Sequence, residues 1–134
     1  AAMGMGLCYR LSGQIDRAVE AFRHAQQLDP SSAEAHAQLA SLHESQAQDD
    51  KALAEYPIAL RLNPESARLH NAFAALNLKR IGARSAQATL ASQRAIAHYR
   101  KSLEIDPDQP QIRRRVLELD PSYRATVTLA PEHP

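Results

Sequence analysis

The side chains with chemistry to offer are six histidines, one cysteine and a set of arginines concentrated late in the chain. His36 and His43 stand seven residues apart, and His70 follows His36 by 34. A zinc ion wants three or four such ligands converging at about 2.0–2.3 Å. The sequence supplies no fourth ligand and no HxxxH spacing, so these histidines are expected at packing positions and no metal site is assigned. Cys8 lies beside Tyr9 without a paired His or Asp, and is expected to be a small buried hydrophobe. There is no Gly-rich phosphate loop, no Ser-centred elbow and no carboxylate pair set in one motif. The chain is therefore expected to be non-catalytic and to need no cofactor. The basic residues Lys79, Arg80, Arg84, Arg94, Arg100, Lys101 and Arg113 to Arg115 raise nucleic acid as a ligand. Phosphate recognition wants such charge on one face, with aromatic rings for stacking. Only Tyr99 and Tyr123 are near, and Asp106, Asp108, Glu118 and Asp120 intervene. A solvated surface facing a protein partner is the preferred reading over nucleic acid.

Composition narrows the background. The 134 residues are rich in unbranched helix formers, with 4% aromatics and four glycines. The net charge of +1 conceals a gradient: residues 1–65 hold five Lys/Arg against nine Asp/Glu, and residues 66–134 hold eleven against six. An acidic front and a basic rear suit head-to-tail association, a contact that need not close. One cysteine builds no internal disulfide, so no oxidising compartment is required and the cytoplasm is the simplest expectation. No apolar run approaches the roughly 18 residues of a membrane span. The first residues, AAMGMGLCY, lack a basic leader and start inside a repeat, as a fragment would, which leaves room for a targeting segment upstream.

The elements that would position these side chains come from a repeat. Gly6, Tyr9, Gly13, Ala18, Phe22, Ala25 and Pro30 return 34 residues later as Ala40, His43, Ala47, Ala52, Tyr56, Ala59 and Pro64. A stretched third copy ends in Ala95, Tyr99, Ser102 and Pro107. A fixed period of this length marks a solenoid of helical hairpins. Helices are expected over about 1–11, 15–28, 33–46, from Asp49 or Asp50 to 62, and 67–81. Another should end near Ile105 and a last one cover about 109–119. Ser12-Gly13 stops the first helix, since glycine accepts a left-handed helix end cheaply. Ser32 is placed as an N-cap, as are Asp49 or Asp50 and Asp108. Pro57, inside the fourth helix, removes the bond to the Leu53 carbonyl and predicts a kink without a break. Buried faces are expected from Ala35, Leu39, Leu42 and His43, and from Leu69, Phe73, Leu76 and Leu78. The third copy carries nine extra residues, which should lengthen helices on either side of a turn near Gly82–Ser85.

This pattern resembles the tetratricopeptide repeat, a 34-residue helix–turn–helix unit. The first copy matches at all seven positions named above. The second has Ala40, Ala47 and His43 where Gly, Gly and Tyr are usual, and the third has Asn77 at that Tyr slot. The resemblance covers about residues 1–107. It implies an all-α fold, a right-handed α-solenoid of about three repeats (1–32, 33–66, 67–109) closed by a capping helix over 109–119. Residues 120–134 would be a tail or linker. Gly6, Ala40 and Ala74 would allow paired helices to approach, with Ala18, Ala52 and Ala95 opposite them and Phe22, Tyr56 and Tyr99 filling the space between pairs.

By the same resemblance the chain is a scaffold that binds a peptide or helical segment on the concave face lined by first helices. That face would carry Met3, Leu7, Arg10, Glu34, Ala37, Gln38, Ser41, Glu44, Arg68, Asn71, Ala75, Leu78 and Lys79. It is apolar at the first repeat, acidic and amide-bearing in the second, basic in the third, and suits an apolar anchor flanked by charges of both signs. Some members clamp a chaperone's C-terminal carboxylate with Lys, Asn and Arg on these helices. Met3, Leu7, Gln38 and Ala72 stand at the corresponding slots, with only Arg68 basic, which argues against that ligand. An alternative is a docking module of a larger enzyme or assembly complex.

Overall fold

Alternation of small and large apolar residues at helical spacing produces helices that can bury one face only against each other. The computed structural model describes residues 2–80 and 85–123. Among them are seven helices and no strands: α1 (Ala2–Leu11), α2 (Ile15–Leu28), α3 (Ala33–Ser45), α4 (Asp49–Leu62), α5 (Ala67–Arg80), α6 (Ser85–Ile105) and α7 (Pro110–Leu119). The fold is all-α and belongs to the α-solenoid class of helix–turn–helix repeats. It divides into two compact units, one through Leu69 and the other from His70.

In the first unit α2 packs against both α1 and α3, and α3 against α4. Ala18, Val19 and Phe22 of α2 form one cluster with Leu39 and Leu42 of α3, flanked by Met3, Tyr9 and Ile15. Ala25 joins Ala2 and Ala35 in another. Phe22 and Leu39 are sealed from solvent, each burial contributing about 1.5–3 kcal/mol. Ala18, Ala40 and Ala52 are wholly buried, as close helix approach requires. At Gly6 the approach is tighter still, for a Cβ there would meet the Phe22 ring at 2.6 Å.

The turns inside the two hairpins are built alike. Gly13 has φ +78, its N–H bonds to the Arg10 carbonyl at 3.1 Å, and the next N–H, of Gln14, bonds to the Tyr9 carbonyl at 2.8 Å. In the second hairpin Ala47, with φ 58, bonds to the Glu44 carbonyl at 3.0 Å and Gln48 to that of His43 at 2.8 Å. Both are the reciprocal left-handed helix end that satisfies the last free carbonyls.

In the second unit Ala74, Ala95, Tyr99, Leu103 and Val116 form the core, joined by Leu78, Ile112, Leu119 and Tyr123. Gln109 ties α6 to α7, its amide donating to Ser102 Oγ at 2.9 Å and to the carbonyls of Ser102 and Asp106 at 3.1 and 2.8 Å.

Several expectations need correction. Cys8 is exposed, because nothing among the described residues covers its flank of α1. Ser32 does cap α3, accepting from the Ala35 N–H at 3.2 Å. Neither Asp49 nor Asp50 caps α4, since Asp49 is already helical and the cap position is Gln48, whose side chain makes no capping bond. Likewise Gln109, not Asp108, precedes α7, and its side chain is spent on Ser102 and Asp106. Phe73 is half-buried, its ring edge-on to His98 at 4.8 Å. α4 runs through Pro57 without a break. Seven of the nine added residues lie in α6, which has 21 residues against 14 in α2 and α4. The expected turn at Gly82–Ser85 lies, but for Ser85, outside the described residues, as does the tail beyond Tyr123.

Candidate partner-binding site

Helix geometry puts residues three and four apart on one face, so Glu34, Gln38 and Ser41 rise together along α3. Arg10 reaches them from α1 and Arg68 from the start of α5. The Arg10 guanidinium donates to Gln38 Oε1 and, at 3.2 Å, to Ser41 Oγ. Gln38 Nε2 donates to Glu34 Oε1 at 2.6 Å, and Arg68 donates to Glu34 Oε2 at 3.2 Å. One chain of charge-assisted bonds, Arg10–Gln38–Glu34–Arg68, thus joins three consecutive first-position helices. Glu34 and Arg68 occupy the same slot one period apart, and their opposite charges meet across it.

Burial grades along this chain. Gln38 is 6% exposed, Arg10 half-buried, Glu34 and Arg68 open to solvent. Beneath it the buried Tyr56 hydroxyl of α4 donates to Glu44 Oε1 at 3.1 Å. Burial pushes the Tyr56 phenol well above the usual tyrosine range, and the Glu44 carboxylate adds to the rise against the opposing pull of Arg68 and Arg10. Both arginines therefore act on the same spot electrostatically.

The other expected residues divide. Leu7 is exposed, while Met3 is half-buried against both clusters of the first unit and Ala37 is buried. In the second unit Ala75 and Lys79 are exposed, and Leu78 packs on the core. Asn71 is half-buried and donates to Gln109 Oε1 at 2.7 Å. Its own Oδ1 is buried and accepts no hydrogen bond among the described residues, the kind of group a bound water satisfies.

His36, His43, His70 and His98 are held by neighbouring side chains. His36 Nδ1 lies 2.7 Å from Glu55 Oε2 and 2.8 Å from Gln26 Nε2, and His43 Nδ1 lies 3.0 Å from Gln48 Oε1. His70 and His98 stack with Nδ1 atoms 3.0 Å apart. His98 stands 28 residues after His70 where Glu55 stands 19 after His36, the difference being the nine added residues, so the two pairs are equivalent. Among the described residues no three His, Cys, Asp or Glu gather as a metal would require. Four basic side chains of α6 and α7 have local partners: Lys101 with Glu104, Arg115 with Glu118, Arg113 with the Pro107 carbonyl, and Arg100 over the Tyr123 ring. No described helix is long and apolar enough to cross a membrane.

Comparison with known proteins agrees with this architecture. A family model described as TPR repeat matches residues 6–47. By sequence the chain matches none of the curated proteins. Among solved structures it is similar to the first TPR of Spaghetti (RPAP3) bound to an HSP90 peptide, SRMEEVD, with TM-score 0.73 and 16% identity over 92% of this chain and 90% of that one. The Arabidopsis OM64 TPR domain gives TM-score 0.72 at 13% identity, covering 89% and 91%. MamA gives 0.75 at 16%, covering 91% of this chain and 62% of that one. Domains of this kind are in general non-catalytic protein-interaction modules. Residues 6–47 match the TPR-repeat family model, and over its described length the chain has the fold of the TPR domains it is similar to.

Proposed function

We propose that the chain is a scaffold that binds a peptide or helical segment of a protein partner across the face shared by α1, α3 and the start of α5. The observation that carries this is the Arg10–Gln38–Glu34–Arg68 chain beside the exposed Leu7. Side chains held by one another have already lost their rotamer freedom, so a ligand that adds bonds to them orders little more. Gln38 is fixed from both sides, and the exposed pair Glu34 and Arg68 keeps acceptor and donor capacity toward solvent. Leu7 offers an apolar anchor point. The ligand read from this is an apolar side chain followed by polar groups of both signs. Met3, Leu7, Gln38 and Ala72 remain unsuited to a free carboxylate clamp, so the peptide bound by the Spaghetti domain is not carried over.

Peptides selected on the full chain from a random display library, then measured by fluorescence anisotropy, test the reading. Leu7→Glu and Arg68→Glu should each weaken binding about tenfold, a loss of about 1.4 kcal/mol. Glu20→Lys, on the exposed side of α2, should leave it unchanged. Equal affinity for all three variants would place the ligand elsewhere.

A further inference from the structure

Arg10, Glu44 and Leu78 occupy one slot of the repeat, each 34 residues from the next. The aromatic slot of the paired second helix holds Phe22, Tyr56 and Tyr99 in turn. Phe22 has no hydroxyl to offer, and Arg10 bonds instead to Gln38 and Ser41 of α3. Leu78 packs on the core of its unit. The slot holds a carboxylate only in the second hairpin, where the Tyr56 hydroxyl donates to Glu44 Oε1 at 3.1 Å. Tyr56 is 4% exposed, so this bond ties Glu44 to a side chain locked by packing.

Glu44 is thus a half-buried anion with its direction fixed and no cation on it. A carboxylate offers roughly four acceptor positions. The Tyr56 hydroxyl takes one, and no other described residue donates to either oxygen. Arg10 and Arg68, the two cations whose fields reach the Tyr56 hydroxyl, are engaged elsewhere: Arg10 on Gln38 and Ser41, Arg68 on Glu34. The Glu34–Arg68 pair is open to water, which screens it. At Glu44 partial burial lets a counter-charge act more strongly than it would at the open surface.

We infer that Glu44 reads a lysine or arginine of the partner segment, its Oε2 accepting an N–H of the ammonium or guanidinium group. The inference rests on the proposed binding face, because Glu44 follows Ser41 by three residues and so continues that face along α3. The Tyr56 hydroxyl is the positioning group: it occupies one oxygen and leaves the other for the ligand.

Two selections from one random peptide display library test this, one on the full chain and one on the full chain carrying Glu44→Gln. The glutamine keeps an acceptor for the Tyr56 hydroxyl and removes the charge, so thermal melts of the two proteins should coincide. Peptides from the first selection should share Lys or Arg at one position, and those from the second should not. One such basic peptide is then measured by fluorescence anisotropy. Glu44→Gln in the chain, or norleucine for the basic residue of the peptide, should each weaken binding about tenfold. Both changes together should cost no more than either alone. Tyr56→Phe should weaken the basic peptide more than its norleucine counterpart, a difference that loss of folding would not produce. Glu20→Gln, on the exposed side of α2, should change neither selection nor affinity. Peptides that lose affinity with Leu7→Glu and Arg68→Glu but show no basic preference overturn the inference and leave the binding face in place. Additive losses overturn it as well, since the basic residue would then sit elsewhere. A library that yields no peptide overturns both.

Discussion

Atom Cε1 of Phe22 lies 2.6 Å from the place a methyl group on Gly6 would occupy. Phe22 is wholly buried among Ala18, Leu39 and Leu42 and has no room to retreat. Gly6→Ala should therefore destabilise the chain, an overpacking cost of about 1–3 kcal/mol exceeding the helix-propensity gain of about 1 kcal/mol. Gly4→Ala, with nothing within 4 Å, should show that gain alone. Thermal melts should move in opposite directions for the two variants; a shared direction would mean that the ring does shift.

Ala47 holds a left-handed conformation that Gly13 holds in the first hairpin. For a residue with a Cβ that conformation costs about 1–2 kcal/mol. Ala47 is exposed and loses no packing on truncation. Ala47→Gly should raise the urea midpoint by about 1 kcal/mol of stability, and Gly13→Ala should lower it by a similar amount.

Burial, and secondarily the neighbouring His70, hold the His98 ring below the ordinary histidine value of 6.5. The fold thus favours the neutral ring. The stability this contributes is present above the unfolded value and is lost as pH falls through the lower folded one. Denaturation of the second unit should become easier from neutral to mildly acidic pH, and His98→Gln should flatten that dependence. An unchanged slope would mean that other groups dominate acid sensitivity.

Gln38 and Arg68 belong to one hydrogen-bonded chain but should differ in what their loss costs. Gln38 is buried between two partners, so Gln38→Ala should destabilise by about 1–3 kcal/mol through the unsatisfied groups it leaves. Arg68 is 67% exposed, and Arg68→Ala should cost about 0–1 kcal/mol. Chemical denaturation of the two variants separates them.

The periodic positions were legible without coordinates. Ala18, Ala52 and Ala95 are wholly buried where the period put them, and Phe22, Tyr56 and Tyr99 fill the space beside them, because a single helix's spacing decides which face is apolar. Contacts between side chains of different helices were not legible. Arg10, Gln38, Glu34 and Arg68 were all named, yet their joining depends on rotamers and helix offsets that no spacing reports. Asp49, Asp50 and Asp108 look like caps in isolation, but one residue's shift in the helix start removes that role. The exposure of Cys8 depends on which helix covers that flank of α1, and residue type does not report it.

Pro57 carries one more implication. Its missing N–H leaves α4 without the rung that would tie residue 57 to the Leu53 carbonyl. The first and second hairpins share their period, their turns and their core, but their second helices are mechanically unequal. α2 is a continuous rod; α4 is a rod with a notch at its middle. When the chain is loaded by a partner, bending compliance concentrates at that notch, and the second hairpin is the one that yields in shape first.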